Sequence, residues 1–167
     1  MGKKIAFLSI ILLMVVVGCT RKPTKTAQGY WDSAAINFEQ RNYEVAVQEY
    51  EKIVKFYPQD DMAVRALFLV AEIWKSNLNN TKKAIDIYRK IISLYPDSDK
   101  APNAAFMIGY IYANDVNDQG NARKNYEEFI KTYPDHALAS SAQWELDNLG
   151  KTLEDIPQLN KLSEKEE

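Results

Sequence analysis

Few side chains in this sequence are suited to reaction chemistry. His136 is the only histidine, and it follows Pro134-Asp135, where a turn or helix-cap role fits better than that of a general base. The acidic pairs Asp60-Asp61 and Glu127-Glu128 are adjacent in sequence, and adjacent helical side chains point apart. One histidine and six scattered glycines assemble no Ser/His/Asp set, no His-rich metal pattern and no glycine loop for phosphate. Cys19 is the only cysteine, so neither an intramolecular disulfide nor a cysteine-rich metal site can form. The expectation is a chain without catalytic residues, metal or cofactor.

The chemistry that does recur is aromatic. Tyr30, Phe68, Phe106 and Trp144 fall 38 residues apart, one per repeating unit. Arg65, Glu72, Asn103 and Tyr110 share their strip at helical spacing, where water-facing side chains are expected. One reading makes this ladder a groove for an extended or helical peptide, in which aromatic anchors dominate binding. The other packs the rings between successive repeats, away from solvent. A ladder open to water also suits a glycan or peptidoglycan ligand.

The elements that position the ladder repeat with it. Ala46, Tyr50, Ile53, Val54 and Tyr57 lie at i, i+4, i+7, i+8 and i+11, the stripe of an amphipathic helix. Ala84 to Tyr95 and Ala122 to Tyr133 repeat it. Pro58, Pro96 and Pro134 end these segments, because the residue before a proline is driven out of the α region. Asp60 and Ser98 offer N-cap oxygens to the next helix. Ala66 to Trp74 aligns with Ala104 to Tyr112, placing Ala71 and Gly109 where only a small side chain lets two helices approach. Turns are expected at Gln40–Asn42, Asn77–Asn80 and Asn114–Gly120. A fixed period in this range marks a solenoid, whose units hide apolar faces only by stacking.

Ile108-Gly109-x-x-Tyr112, with Ala122, Tyr126 and Pro134, resembles the tetratricopeptide repeat (TPR) signature over about residues 30–150. The resemblance implies an all-α, right-handed α-solenoid of three helix hairpins, at about 29–58, 61–96 and 99–134, closed by a capping helix over 137–149. Ala139, Ala142, Leu146 and Leu149 give that last helix one apolar side and leave a wet one. The resemblance also implies that the first helix of each pair lines a concave, partner-receiving groove.

Lys3 and Lys4 precede an uncharged 13-residue run, Ile5 to Val17, and then Gly18-Cys19. The run is short for a permanent span and has the order of an export signal over 1–18. Val16-Val17-Gly18-Cys19 resembles the lipobox of bacterial lipoproteins, which implies an acylated, palmitate-bearing Cys19 as the new N-terminus. Thr20 follows it, not the aspartate that retains such proteins in the inner membrane, so an outer-membrane, periplasm-facing location is allowed. Residues 19–28 read as a flexible tether and 151–167 as a mobile acidic tail. With the lipobox, the repeats look most like BamD (ComL) assembly lipoproteins. YbgF-type proteins share the repeats but add a coiled coil that is absent here.

Without Lys3 and Lys4 the chain carries 19 basic and 23 acidic side chains, a formal charge of −4. No basic patch stands out in the sequence, so nucleic acid is not an expected partner. The expected partners are proteins, in particular envelope or outer-membrane assembly components, with the membrane held through Cys19.

Overall fold

Helix hairpins stack in chain order. The structure is a computed structural model that describes residues 22–151 and 155; the export signal, Cys19 and nearly all of the tail lie outside the described residues. Among the described residues there are seven α-helices and no strand: α1 (Ala27–Glu39), α2 (Tyr43–Phe56), α3 (Asp61–Ser76), α4 (Thr81–Leu94), α5 (Lys100–Asn114), α6 (Gln119–Thr132) and α7 (Ala139–Asn148). Each helix packs on the next, and α3 also touches α5. This is the α-solenoid that the 38-residue period demands.

The breaks between hairpins follow from local chemistry. Tyr57, Tyr95 and Tyr133 precede the prolines and adopt φ near −130° and ψ near 50°, outside the helical region, as pre-proline sterics require. Asp60 then caps α3 by accepting from the Met62 amide, 2.8 Å away. At the next boundary Ser98 Oγ accepts from the Lys100 amide. Within hairpins the chain reverses through a left-handed residue, Arg41 (φ 60°), Asn79 (φ 49°) and Asn117 (φ 57°), again 38 apart. The third turn is shorter than expected, since Gly120 already lies in α6 and Asn117 supplies the left-handed step.

Asparagine tolerates that conformation far better than arginine. Replacing Arg41 with glycine relieves its strain, and the expected gain is about 0.5–1 kcal/mol. A urea midpoint that rises in Arg41→Gly but not in Asn79→Gly would bear this out.

The core divides into three clusters, each joining a hairpin to the helix that follows. Tyr30, Ala46, Ile53 and Val70 anchor the first, Leu67, Tyr88, Ile91 and Ile108 the second, and Tyr126, Phe129 and Ala142 the third. Because every cluster borrows a face from its neighbour, no hairpin closes its own core. Gly109 sits where α5 crosses α6 closely: a Cβ there would stand 2.9 Å from two carbons of the Tyr126 ring. On α7, Ala142 is buried and Trp144 is exposed, so the last helix covers the third cluster with one side and meets water with the other.

Two sequence expectations shift. The capping helix is Ala139–Asn148, not 137–149. Residues 24–28 are not free tether, because Thr26 caps α1 through the Gly29 amide and Thr24 and Lys25 are pinned to the first hairpin. His136 sits in the turn before α7, where its Nδ1 accepts from the Leu138 amide.

Candidate protein-binding face

Helices α1, α3, α5 and α7 carry the aromatic ladder, and its four rungs have three different environments. Tyr30 is core, only 2% exposed. Its ring stacks on Phe56 at 6.0 Å and its hydroxyl meets the Thr24 amide and Oγ1. The expectation that Tyr30 lines a groove is therefore corrected: Phe56 stacks on the ring, Thr24 meets its hydroxyl and Lys25 lies over its face. Phe68 is half-buried, with its edge on Tyr88 at 5.3 Å. Phe106 is likewise half-buried against Tyr126 and Phe129. Trp144 is 45% exposed. The middle rings thus pack on the second helix of their own hairpin, and of the four rungs only Trp144 is open.

Two polar members of the strip connect helices. Arg65 is exposed and lies over the Trp31 ring at 4.9 Å, a cation–π contact tying α3 to α1. Glu72 is half-buried and accepts a hydrogen bond from the Tyr88 hydroxyl. Burial, reinforced by that carboxylate, pushes the Tyr88 hydroxyl far above the ordinary tyrosine value. Asn103 turns back to donate to the Asp99 carbonyl. Tyr110 is half-buried and takes the place in α5 that Glu72 has in α3.

That exchange leaves Tyr126, the counterpart of Tyr88, fully buried with no partner for its hydroxyl among the described residues. Burial raises it as well, with Glu145 and Tyr110 adding to the effect. Beside Glu72 a cleft of about 260 Å³ opens between the first two hairpins, lined by Phe38, Tyr50, Leu69 and Ile73. Phe38 was not marked by the sequence, since it stands in register with Ser76 and Asn114 and breaks the period; Tyr50 was read only as part of the apolar stripe of α2. No group of three or more His, Cys, Asp or Glu among the described residues is placed to hold a metal ion.

The arrangement offers apolar and aromatic side chains edged by one cation and one carboxylate. It orders no nucleophile beside a base. A family model described as tetratricopeptide repeat matches residues 28–60, 65–98 and 103–136, three consecutive units that each span one hairpin. The chain belongs to the tetratricopeptide repeat family. The TPR fold serves protein interaction and is typically non-catalytic, in keeping with the side chains on this face. Comparison with curated proteins gives no match.

One element of this TPR array lay beyond the repeat pattern. Glu49 stands in register with Ile87 and Asn125, yet it is a carboxylate only 7% exposed. Lys25 reaches it at 2.8 Å and Lys52 pairs with its other oxygen, while Tyr57 donates to the Lys25 carbonyl at 2.7 Å. Burial alone would raise the Glu49 carboxyl, but the two lysines outweigh it and hold it below its ordinary value. The stabilisation is therefore present above the ordinary carboxylate pKa and fades as pH falls through the depressed one. Glu49→Gln is expected to cost about 1 kcal/mol, because both lysines remain solvated. Limited proteolysis should then cut near Lys22 and Lys25 faster than in the wild type, and equal rates would exclude the clamp.

Proposed function

We propose that this TPR protein is a lipid-anchored interaction scaffold of a bacterial cell envelope, acting at the outer membrane on its periplasmic side. In the finer form of this reading it serves outer-membrane protein assembly, as BamD-type lipoproteins do. The observation that carries the interaction role is the face of α3, α5 and α7, where Arg65, Phe68, Glu72, Phe106, Tyr110 and Trp144 follow one another across adjoining repeats. Half-buried rings with polar neighbours, beside an apolar cleft, suit a peptide segment with apolar anchors. The lipobox-like Val16-Val17-Gly18-Cys19 supports the anchor, since stable attachment takes two acyl chains or a chain with a second signal. A glycan ligand is disfavoured, because stacking needs several open rings along the ladder and, of its four rungs, only Trp144 is open.

Two variants test the two halves separately. Cys19→Ser should move the protein from the membrane to the soluble fraction of expressing cells; retention in the membrane would refute the anchor. Arg65→Ala with Trp144→Ala alters exposed side chains outside the core. The double variant should keep the wild-type melting temperature within a few degrees and lose co-purifying envelope proteins. Unchanged recovery of those proteins would refute this face as the docking site.

A further inference from the structure

The cleft between the first two hairpins is bordered by polar groups that the fold leaves without partners. Phe38, Tyr50, Leu69 and Ile73 give it apolar walls, and Glu72 is the one charged side chain among the described residues that line it. Its volume of about 260 Å³ falls below the range of about 300–1,000 Å³ that suits a small-molecule ligand. One long side chain is a better match.

Register explains the unpartnered groups. The Tyr88 hydroxyl donates to Glu72 Oε1, in the first helix of its own hairpin. Tyr50 repeats Tyr88 in α2, but α1 has Ala34 where α3 has Glu72. Tyr50 is only 5% exposed, and its hydroxyl forms no hydrogen bond among the described residues. Tyr126 is sealed within the third cluster, whereas Tyr50 borders the cleft. Glu72 Oε2 likewise has no partner among the described residues.

The surrounding charges do not neutralise that carboxylate. Lys75 stands one turn along α3, on the other side of Glu72 from Leu69 and Ile73, and forms no ion pair with it. Arg65, two turns back, is held over the Trp31 ring. Glu39 and Arg41, both exposed beside Phe38 in the chain, offset each other. Helix α1 ends at Glu39 and α3 at Ser76, so two helix C-termini, the negative ends of their dipoles, lie beside the cleft.

We propose that this cleft receives one lysine or arginine side chain of a partner peptide, its stem along Phe38, Leu69 and Ile73 and its head at Glu72 Oε2 and the Tyr50 hydroxyl. The inference rests on the first-helix face being the docking face, and it names the side chain that this face selects. Long cationic side chains bury an apolar stem and keep a polar head, and the rings of Phe38 and Tyr50 favour a cation as well. A purely apolar anchor would instead strip water from the Glu72 carboxylate and supply no counter-charge.

The test is a phage-display selection of random peptides against Cys19→Ser protein running from residue 19 to the end of the chain. Selected peptides should carry a lysine or arginine beside an apolar residue. Made synthetically, they should bind Glu72→Gln about tenfold more weakly than the wild type, and acetylating the lysine should weaken them similarly. Glutamine keeps an acceptor for Tyr88, and melting temperature checks that the variant is folded. Phe38→Ala changes a ring that is 40% exposed, reads the same cleft without touching that bond, and should weaken binding severalfold. Selected peptides that lack a cation, or that bind Glu72→Gln as tightly as the wild type, would overturn the cleft assignment. If those peptides are still lost in the Arg65→Ala, Trp144→Ala double variant, the docking face stands without it. Failure to enrich any peptide, or peptides indifferent to every variant, would sink the docking face and this inference together.

Discussion

Gly109→Leu is expected to lower the stability of the array by about 3 kcal/mol, the upper end of the ordinary cost of overpacking a core. The cause is local and severe. A Cβ at 109 would already stand 2.9 Å from Cδ1 and Cε1 of Tyr126, and that ring cannot withdraw, because it is fully buried and abuts Phe106. A leucine adds three more carbons to the same space. Ala71, its counterpart in α3, carries a methyl within the second cluster without exposure, so the crossing of α5 on α6 is the tighter one. Gly109→Ala tests the gradation: alanine recovers about 0.5–1 kcal/mol of helix propensity over glycine, which offsets part of the clash. Urea unfolding should rank wild type above Gly109→Ala above Gly109→Leu. A leucine variant as stable as the wild type would show that α5 and α6 do not meet this closely.

Two tyrosines in register are expected to respond in opposite senses to the same substitution. Tyr88→Phe removes the donor to Glu72, and a half-buried carboxylate that loses a hydrogen bond costs about 1.5–3 kcal/mol. Tyr126→Phe removes a hydroxyl that is buried and without a partner among the described residues. It should be neutral or raise stability by up to about 1 kcal/mol. The alkaline limb carries the same signature. Burial raises the hydroxyls of Tyr50, Tyr88 and Tyr126 above their ordinary value of 10.0. Each therefore contributes stability that is complete below that value and lost as pH climbs through the raised one. Thermal unfolding in steps upward from neutral pH should show a decline that begins near pH 10 and is smaller in both phenylalanine variants. A Tyr126→Phe variant as damaged as Tyr88→Phe would mean that the Tyr126 hydroxyl has a partner after all.

The sequence revealed the solenoid because its signals are local and repeat. Alanine, tyrosine and proline at a fixed interval specify helix, small crossing and break in each unit, and the observed helices end where the prolines require. It revealed the ladder as a set of equivalent positions and left open what each rung touches. Equivalence of register is not equivalence of environment, since the ends of a stack have one neighbour instead of two. Tyr30 is internal because Phe56, Thr24 and Lys25 close on it, and Trp144 is open on the wet side of the last helix. The middle rungs settle against Tyr88 and Tyr126 of their own hairpins, a contact that counting residues along one helix cannot show. The Glu49 clamp was hidden for a related reason. Lys25 comes from a segment without periodicity and Lys52 from the polar side of α2; only the folded hairpin brings both to Glu49.

The measurement that bears most directly on the central claim is a photocrosslinking scan in intact cells. A photoreactive residue would be placed at 65, 103 or 144 on the first-helix face, and at 90, 124 or 127 on exposed positions of the second helices. The same discrete protein adducts from 103 and 144, absent or weak from 90, 124 and 127, are the predicted result. Adducts of equal strength from both faces, or from the second helices alone, would contradict it.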